Sequence, residues 1–180
     1  MKTIYMMLSL LITTSLFAQN DQLNVVDEVN LERYAGTWYE VARLPNRFQN
    51  RCVSDVTATY TILDNDQIKV VNRCRKADGS FIEAEGRARR ADKNEPNSKL
   101  KVRFAPRILS FLPFVWGDYW IIELDPDYRY AVVGDPGRKY LWVLARDPEM
   151  EDTMLGEILD RTGEQGYNIT EVTRTEHRTE

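Results

Sequence analysis

Apolar and polar residues alternate with period two along most of this chain. In VTATYTIL, Val56, Ala58, Tyr60 and Ile62 fall on one face and Thr57, Thr59 and Thr61 on the other, the pattern of a strand that buries one side. QIKV resumes the alternation beyond the turn Asp64-Asn65-Asp66. FIEAEGRARR sets Ile82, Ala84, Gly86 and Ala88 against Glu83, Glu85, Arg87 and Arg89, and KLKVRF sets Leu100, Val102 and Phe104 against three cations. Together with TWYEVAR, DYWIIEL, YRYAVV and KYLWVLAR, this predicts eight strands. Their connections are mostly short, among them Asp125-Pro126-Asp127 and Gly134-Asp135-Pro136-Gly137. Short connections force antiparallel neighbours. A sequential array with one apolar face per strand predicts an all-β fold, an up-and-down barrel or a sandwich.

The last three of these strands do not alternate cleanly. Trp120, Ile122 and Leu124 interleave with Tyr119 and Ile121, and Leu141 and Val143 with Tyr140, Trp142 and Leu144. Strands apolar on both faces need a cover on each side. One amphipathic helix follows, predicted over residues 149–162, with Met150, Met154, Leu155, Ile158 and Leu159 on one face. Glu149, Glu151 and Asp152 favour its start, and Gly163 and Gly166 are expected past its end. It is the expected outer cover, which leaves the other face to look into the barrel. A ninth short strand, YNITEVT (167–173), ends the pattern.

In an up-and-down array, strand ends alternate between two rims. GTWY (36–39), LDPDY (124–128) and ARDP (145–148) therefore share one rim. Trp38 is placed to plug it, with Arg146 over the indole in a cation–π contact worth about 0.5–2 kcal/mol. The other rim stays open.

Composition narrows the setting. The chain has 180 residues, 43% of them hydrophobic, which suits one domain with a sizeable core. MKTIYMMLSLLITTSLFA (1–18) reads as a secretory signal: Lys2 supplies the charge, Ile4 to Phe17 the apolar run and Ala18 the small residue at the cut. The run is short of the about 20 apolar residues that a membrane span needs. Residues 19–180 then form a single domain, with the barrel over 36–146. The net charge of −4 becomes one unit more negative without Lys2, so there is no global pull toward nucleic acid. Export implies an oxidising compartment, and Cys52 and Cys74 flank a candidate hairpin. A disulfide is expected, worth about 3 kcal/mol in the chain-entropy model; the alternative is two buried thiols. The segment around the expected cut has no Cys, so an exported protein without a lipid anchor on an N-terminal Cys is expected.

Catalytic chemistry finds little support. The only His is His177, in a polar tail, so a His-based triad or His-rich metal site is not expected. The carboxylates Glu123, Asp125 and Asp127 lie on or near a turn and read as a solvated edge. There is no glycine-rich phosphate loop, and neither cofactor nor metal is expected.

Gly36-Thr37-Trp38-Tyr39, Asp127-Tyr128 and Arg146 in YLWVLARDP resemble the three signature regions of the lipocalins, with a match over residues 31–175. GTWYEVARLPNRFQ, VTATYTI and DYRYAVVGDPGRKYLWVLAR resemble the bacterial outer-membrane lipocalins in particular, and are similar to the plant temperature-induced lipocalins and apolipoprotein D. The sequence departs from that pattern in carrying Pro126 where the second region has Thr, and in lacking the lipoprotein cysteine of many bacterial members. The resemblance implies an eight-stranded calyx that holds a fatty acid or lysophospholipid, for lipid transport or storage and envelope maintenance. An enzyme acting on a hydrophobic substrate, or an interaction protein with a filled barrel, are the alternatives. It assigns Gly36, Trp38, Asp127, Tyr128 and Arg146 to the barrel floor. Alternation, combined with the matching family strands, turns sixteen residues inward: Val56, Ala58, Tyr60, Ile68, Val70, Ala84, Ala88, Val102, Phe104, Tyr119, Ile121, Ala131, Val133, Tyr140, Trp142 and Leu144. Ala58, Ala84 and Ala88 leave room, and an eight-stranded barrel is wide enough for one small ligand.

The open rim has its own pattern. ILSFLPFVW (108–116) joins the fifth and sixth strands there, and Ile108, Leu109, Phe111, Leu112, Phe114, Val115 and Trp116 are apolar. Pro106 and Pro113 discourage regular structure. So apolar a segment needs a cover: a bilayer, a second protomer (the chain being a monomer or a homodimer) or the barrel's own mouth. The loops at this rim carry Arg43, Arg47, Arg51, Arg73, Arg75, Lys76, Arg103, Arg107, Arg138 and Lys139 against Asp78 and Asp135. The closed rim carries Asp64, Asp66, Asp92, Glu95, Asp125 and Asp127 against Lys93. A basic, apolar rim suits an anionic membrane surface, where each cation is worth about 1 kcal/mol; the alternative is an ordinary solvated face.

Overall fold

The computed structural model describes residues 23–64, 67–105, 107–109 and 112–178. The expected leader at 1–18 lies outside them, as do Asn65, Asp66, Pro106 and Phe111. After a one-turn helix α1 (Leu31–Tyr34) come β1 (Gly36–Arg43), β2 (Ser54–Ile62), β3 (Ile68–Arg75), β4 (Phe81–Arg90), β5 (Lys99–Arg103), β6 (Gly117–Leu124), β7 (Tyr130–Gly134) and β8 (Leu141–Ala145). Each pairs antiparallel with the next, and β1 pairs with both β8 and β2, so the eight strands close into a barrel. The helix α2 (Asp152–Glu164) and a two-residue strand β9 (Thr173–Arg174) complete the chain.

Two apolar clusters lie on either side of the barrel wall. The outer one joins Val41, Ile122, Val132, Leu141 and Val143 to Leu155 and Ile158 of α2. The inner one gathers Trp38, Ala58, Val70, Ile121, Val133 and Leu144. This is why β6 to β8 are apolar on both faces: the helix covers one, and the other is the lumen.

Several element details differ from the pattern reading. The helix starts at Asp152 and runs to Glu164, so Gly163 lies inside it. A Cβ on Gly163 would meet the Ile169 side chain at 3.3 Å. Gly166 does lie past the end, with φ of 88°. The buried stripe is Leu155, Ile158 and Thr162, which rotates Met154 out to solvent. Residues 169–171 form a 3-10 turn where strand was expected, because Tyr167 and Ile169 fold into the outer cluster before the chain extends at Thr173. A bulge between Ile121 and Glu123 reverses the alternation of β6, so Leu124 packs on the inner cluster and not beside Ile122. On β5, Lys99 and Arg103 are buried outside the barrel: the Lys99 ammonium lies 4.5 Å from the Trp120 ring and the Arg103 guanidinium 5.2 Å from that of Trp116.

The tail after β9 seals a seam. β1 and β2 pair only over Gly36–Tyr39. Toward the mouth, β1 pairs instead with β9 through Ala42↔Arg174 and Arg43↔Thr173. The tail then reaches β2: Asp55 N donates to Glu176 O at 2.9 Å, and Arg178 N to the Asp55 carboxylate at 2.8 Å.

Candidate functional site: the barrel interior and its mouth

The closed end is built around Trp38, which is fully buried. Its indole N–H donates to Tyr34 O at 2.7 Å, and the Arg146 guanidinium lies 3.9 Å from its ring centroid. Arg146 donates to the carbonyls of Arg33, Tyr34, Ala35 and Thr37. A planar fork of donors is therefore matched to the carbonyls at the end of α1 and to that of Thr37 at the start of β1. Gly36 is required there: its φ is 93°, and a Cβ would sit 3.4 Å from the guanidinium.

The floor extends further than the motif residues. Residues 26–34 cross beneath the barrel, with Val26 N bonded to Ile121 O at 3.0 Å and Val29 N to the Asn97 side chain at 2.7 Å. Val29, Leu31 and Tyr34 join the inner cluster. Sequence reasoning missed this segment because it lacks strand alternation; the apolar spacing of Val26, Val29 and Leu31 was its only signal. In the adjacent turn, Asp125 is the organising carboxylate. It is 4% exposed, accepts from Asp127 N and Arg129 N, and pairs with the Arg129 side chain at 2.7 Å. The solvated edge expected at 123–127 is thus corrected, Glu123 being paired with Arg161 at 2.7 Å as well. Asp127 contributes its backbone N–H. Tyr128 takes a left-handed φ of 62°, accepts from Asn30 N and carries Arg33 4.1 Å over its ring.

Of the sixteen residues expected inside, Ala58, Tyr60, Ile68, Val70, Ala88, Val102, Tyr119, Ile121, Ala131, Val133, Trp142 and Leu144 belong to the inner cluster, and Val56 is buried. The remaining three lie toward the mouth. Ala84 is exposed and opposite Asn72. Phe104, 42% exposed, has its ring where a Gly86 side chain would be. Tyr140 stacks between Phe48 and Trp142, at 5.5 and 5.9 Å. Leu100, omitted from that set, is buried in the inner cluster although the alternation of KLKVR put it on the same face as Val102.

The mouth differs from expectation mainly in its charges. Arg43 pairs with the buried Glu40 at 2.7 Å, Arg75 with Asp55 at 2.6 Å and Lys76 with Asp78 at 3.0 Å. Arg73 lies over Phe81 and near Glu83, Arg103 is buried, and Arg138 donates to Gln165 O. Among the described residues, Arg47, Arg51 and Lys139 are exposed and outside any ion pair; Arg107 falls in a 3-10 turn at 107–109. The acidic closed rim is likewise offset, Glu95 pairing with Lys99 and Asp125 with Arg129. The predicted one-sided segregation of charge is therefore weaker than the loop count implied, since a count of loop residues cannot see cross-strand partners.

The apolar character of the mouth, in contrast, is broad. Phe48, Val53, Phe104, Ile108, Leu109 and Phe114 are exposed there, Ile108 by 79% and Phe114 by 80%. Leu112 and Val115 are half-buried; Trp116 is held between Arg89 and Arg103 and so leaves the lip. The lip itself is two short 3-10 turns, Arg107–Leu109 and Pro113–Val115, with Pro113 in the first turn of the second. The disulfide Cys52–Cys74, with Cα atoms 5.5 Å apart, fastens the 44–53 loop to β3. Gln49 in that loop bonds both Glu40 and the Trp142 indole, at 2.5 and 2.8 Å. His177 is half-buried, bonded to Glu40 O and edge-on to Tyr39, and so belongs to the tail seam.

Comparison with known proteins agrees with this geometry. A sequence model described as a lipocalin-like domain matches residues 29–177. The chain is 40% identical over 159 residues to temperature-induced lipocalin-1 of Arabidopsis thaliana, covering 87% of this chain and 84% of that one. It is 37% identical over 149 residues to the outer membrane lipoprotein Blc of Escherichia coli (strain K12), covering 82% and 79%. Among solved structures, insecticyanin from the tobacco hornworm Manduca sexta superposes with a TM-score of 0.66 at 18% identity, covering 87% and 85%, a likeness of fold. A closed eight-stranded barrel, a buried Trp under an Arg at one end and these matches together make the chain a member of the lipocalin-like family.

Proposed function

We propose that this protein binds one apolar small molecule of the fatty acid or lysophospholipid class inside its barrel, and exchanges it with an anionic membrane surface through the mouth. The observation that carries this reading is the ring of exposed apolar side chains, Phe48, Phe104, Ile108 and Phe114, around the open end of a barrel whose inner cluster is apolar and whose other end is shut by Trp38. Leaving such side chains in water is unfavourable, each being worth about 1.5–3 kcal/mol when buried. An acyl chain below and a bilayer above are covers of matching chemistry. Arg47, Arg51 and Lys139 add exposed positive charge beside them. An exported location, in the periplasm or at the outer-membrane periphery, is supported by the disulfide and by the name of the bacterial relative.

The test is ligand binding. Native mass spectrometry of the purified protein is expected to show one co-purified lipid per chain, displaced by a fluorescent fatty acid. Ala84→Trp narrows the passage near the mouth, where the side chain is exposed and the fold tolerates bulk. It is expected to reduce fatty acid affinity about tenfold while leaving the unfolding midpoint unchanged. Ala88, 2% exposed and deep in the barrel, is the wrong place for this test, because overpacking there also destabilises. Unchanged affinity in a folded Ala84→Trp protein would remove the barrel as the site.

A further inference from the structure

Three phenol rings converge at the closed end of the barrel from separate parts of the chain. Tyr34 comes from α1, Tyr60 from β2 and Tyr119 from β6. The Tyr119 hydroxyl lies 2.9 Å from that of Tyr34 and 2.8 Å from that of Tyr60. Each phenol has one O–H donor. Two contacts use two of the three protons, and where Tyr119 accepts from both neighbours its own proton is the one left without an acceptor in this cluster. Buried polar groups are almost always paired. Tyr34 and Tyr60 are 2% and 6% exposed, while Tyr119 is only half-buried. Tyr119 is thus the most exposed residue of the three, and it packs against the inner apolar cluster.

The electrostatics of the cluster restrict what it can accept. Burial raises the titration points of all three phenols, that of Tyr60 to about 12. They are neutral donors at physiological pH. The buried cations Lys99 and Arg103 lie outside the barrel, and Arg146, behind Trp38 yet near enough to bias Tyr34 and Tyr60, already serves four carbonyls. A carboxylate brought to this point would lose its water and meet only the charge of Arg146, which lies behind the rings and is already committed to backbone carbonyls. A hydroxyl or carbonyl oxygen needs a single hydrogen bond to offset its desolvation.

We infer that Tyr34, Tyr60 and Tyr119 form an anchor for a neutral oxygen, hydroxyl or carbonyl, at the leading end of an apolar ligand, with the Tyr119 hydroxyl making the contact. This rests on the barrel taking an apolar ligand, as proposed above. It adds that the preferred ligand is oxygenated at its buried end, and that a charged headgroup stays at the mouth beside Arg47, Arg51 and Lys139. Alternation with the matching family strands turns Tyr60 and Tyr119 inward but does not mark Tyr34, which lies outside any strand.

The test compares palmitate with ω-hydroxypalmitate by calorimetric titration of the delipidated protein. A hydroxyl at the tip of an acyl chain weakens burial in an apolar pocket unless a partner meets it. The anchor reverses that order, and ω-hydroxypalmitate is expected to bind about fivefold more tightly than palmitate. In Tyr119→Phe the ratio is expected to invert in favour of palmitate, whatever happens to the absolute affinities. Should that variant fail to fold, a red shift of the wild-type tyrosine absorption with ω-hydroxypalmitate, and none with palmitate, carries the same decision. Equal affinity or a palmitate preference in the wild type would overturn the anchor while leaving the lipid reading intact. A preference that survives Tyr119→Phe, or no red shift, would overturn it too. Binding of neither acid would instead overturn the lipid reading beneath it.

Discussion

Arg146 shows how much one side chain can do when its geometry is fixed. Four backbone carbonyls and one indole face share its guanidinium. Lys keeps the charge but has a single nitrogen and cannot present donors in a planar fork to these carbonyls. Arg146→Lys is expected to lower the unfolding free energy by about 2 kcal/mol, since more than one carbonyl loses its partner. Urea denaturation would measure it, and a loss no larger than that of an ordinary surface substitution would show that the carbonyls are equally well served by water.

At the scale of elements, the tail and the 44–53 loop are held to the barrel by different chemistry. Burial alone would raise the Asp55 carboxyl; the Arg178 N–H, the Arg75 guanidinium and the Ser54 hydroxyl outweigh it and hold it at about 2, below the ordinary 3.8. A depressed folded value stabilises above the unfolded one and loses that contribution as pH falls. The tail contact is therefore expected to be intact above pH 3.8 and to weaken progressively toward pH of about 2. Amide exchange reads it: protection of Thr175 and Arg178 should fall in that window before protection of Ile121, and Asp55→Asn should lower it already at neutral pH. Uniform loss across the barrel would place the acid-sensitive group elsewhere. The loop depends on Cys52–Cys74, which spans 22 residues. Reduction is expected to remove about 3 kcal/mol of stability through loop-closure entropy, and an unreduced, unfolded sample should contain no free thiol.

For the whole molecule, the proposed function places contact with the surroundings at the mouth. Most of the cations assigned to it from loop position are engaged, Arg43, Arg75 and Lys76 in ion pairs and Arg103 by burial. The apolar ring is exposed over a wider arc than the 108–116 loop, since Phe48 and Phe104 belong to it. Docking on phosphatidylglycerol vesicles is thus expected to depend on the apolar residues first and on salt only moderately. Phe48→Ser with Ile108→Ser and Phe114→Ser should weaken vesicle binding by about tenfold or more, because each exposed side chain gains about 1 kcal/mol or more on burial. The thermal midpoint should hold, as all three are exposed. Loss of a dimer in place of loss of vesicle binding would assign the mouth to self-association.

The order of the eight strands, their antiparallel pairing, the disulfide and the shared rim of Trp38 and Arg146 were all legible in the sequence. Period-two alternation and short turns are local properties, and they leave few topologies open. Local patterns could not reveal that a bulge turns Leu124 inward, that Met154 rotates off the packed stripe, or that 169–171 coils back under Tyr167. Each of these depends on what packs against the segment, and a one-residue change of register moves a side chain to the opposite face. Charge was the least legible feature. Loop position gives the rim on which a cation sits, but its partner comes from a neighbouring segment, as Asp55 of β2 does for Arg75 and Trp116, just before β6, for Arg103. The tyrosine cluster lies at the far end of the same difficulty: Tyr34, Tyr60 and Tyr119 are separated by as many as 85 residues. Only closure of the barrel brings their hydroxyls within hydrogen-bonding distance.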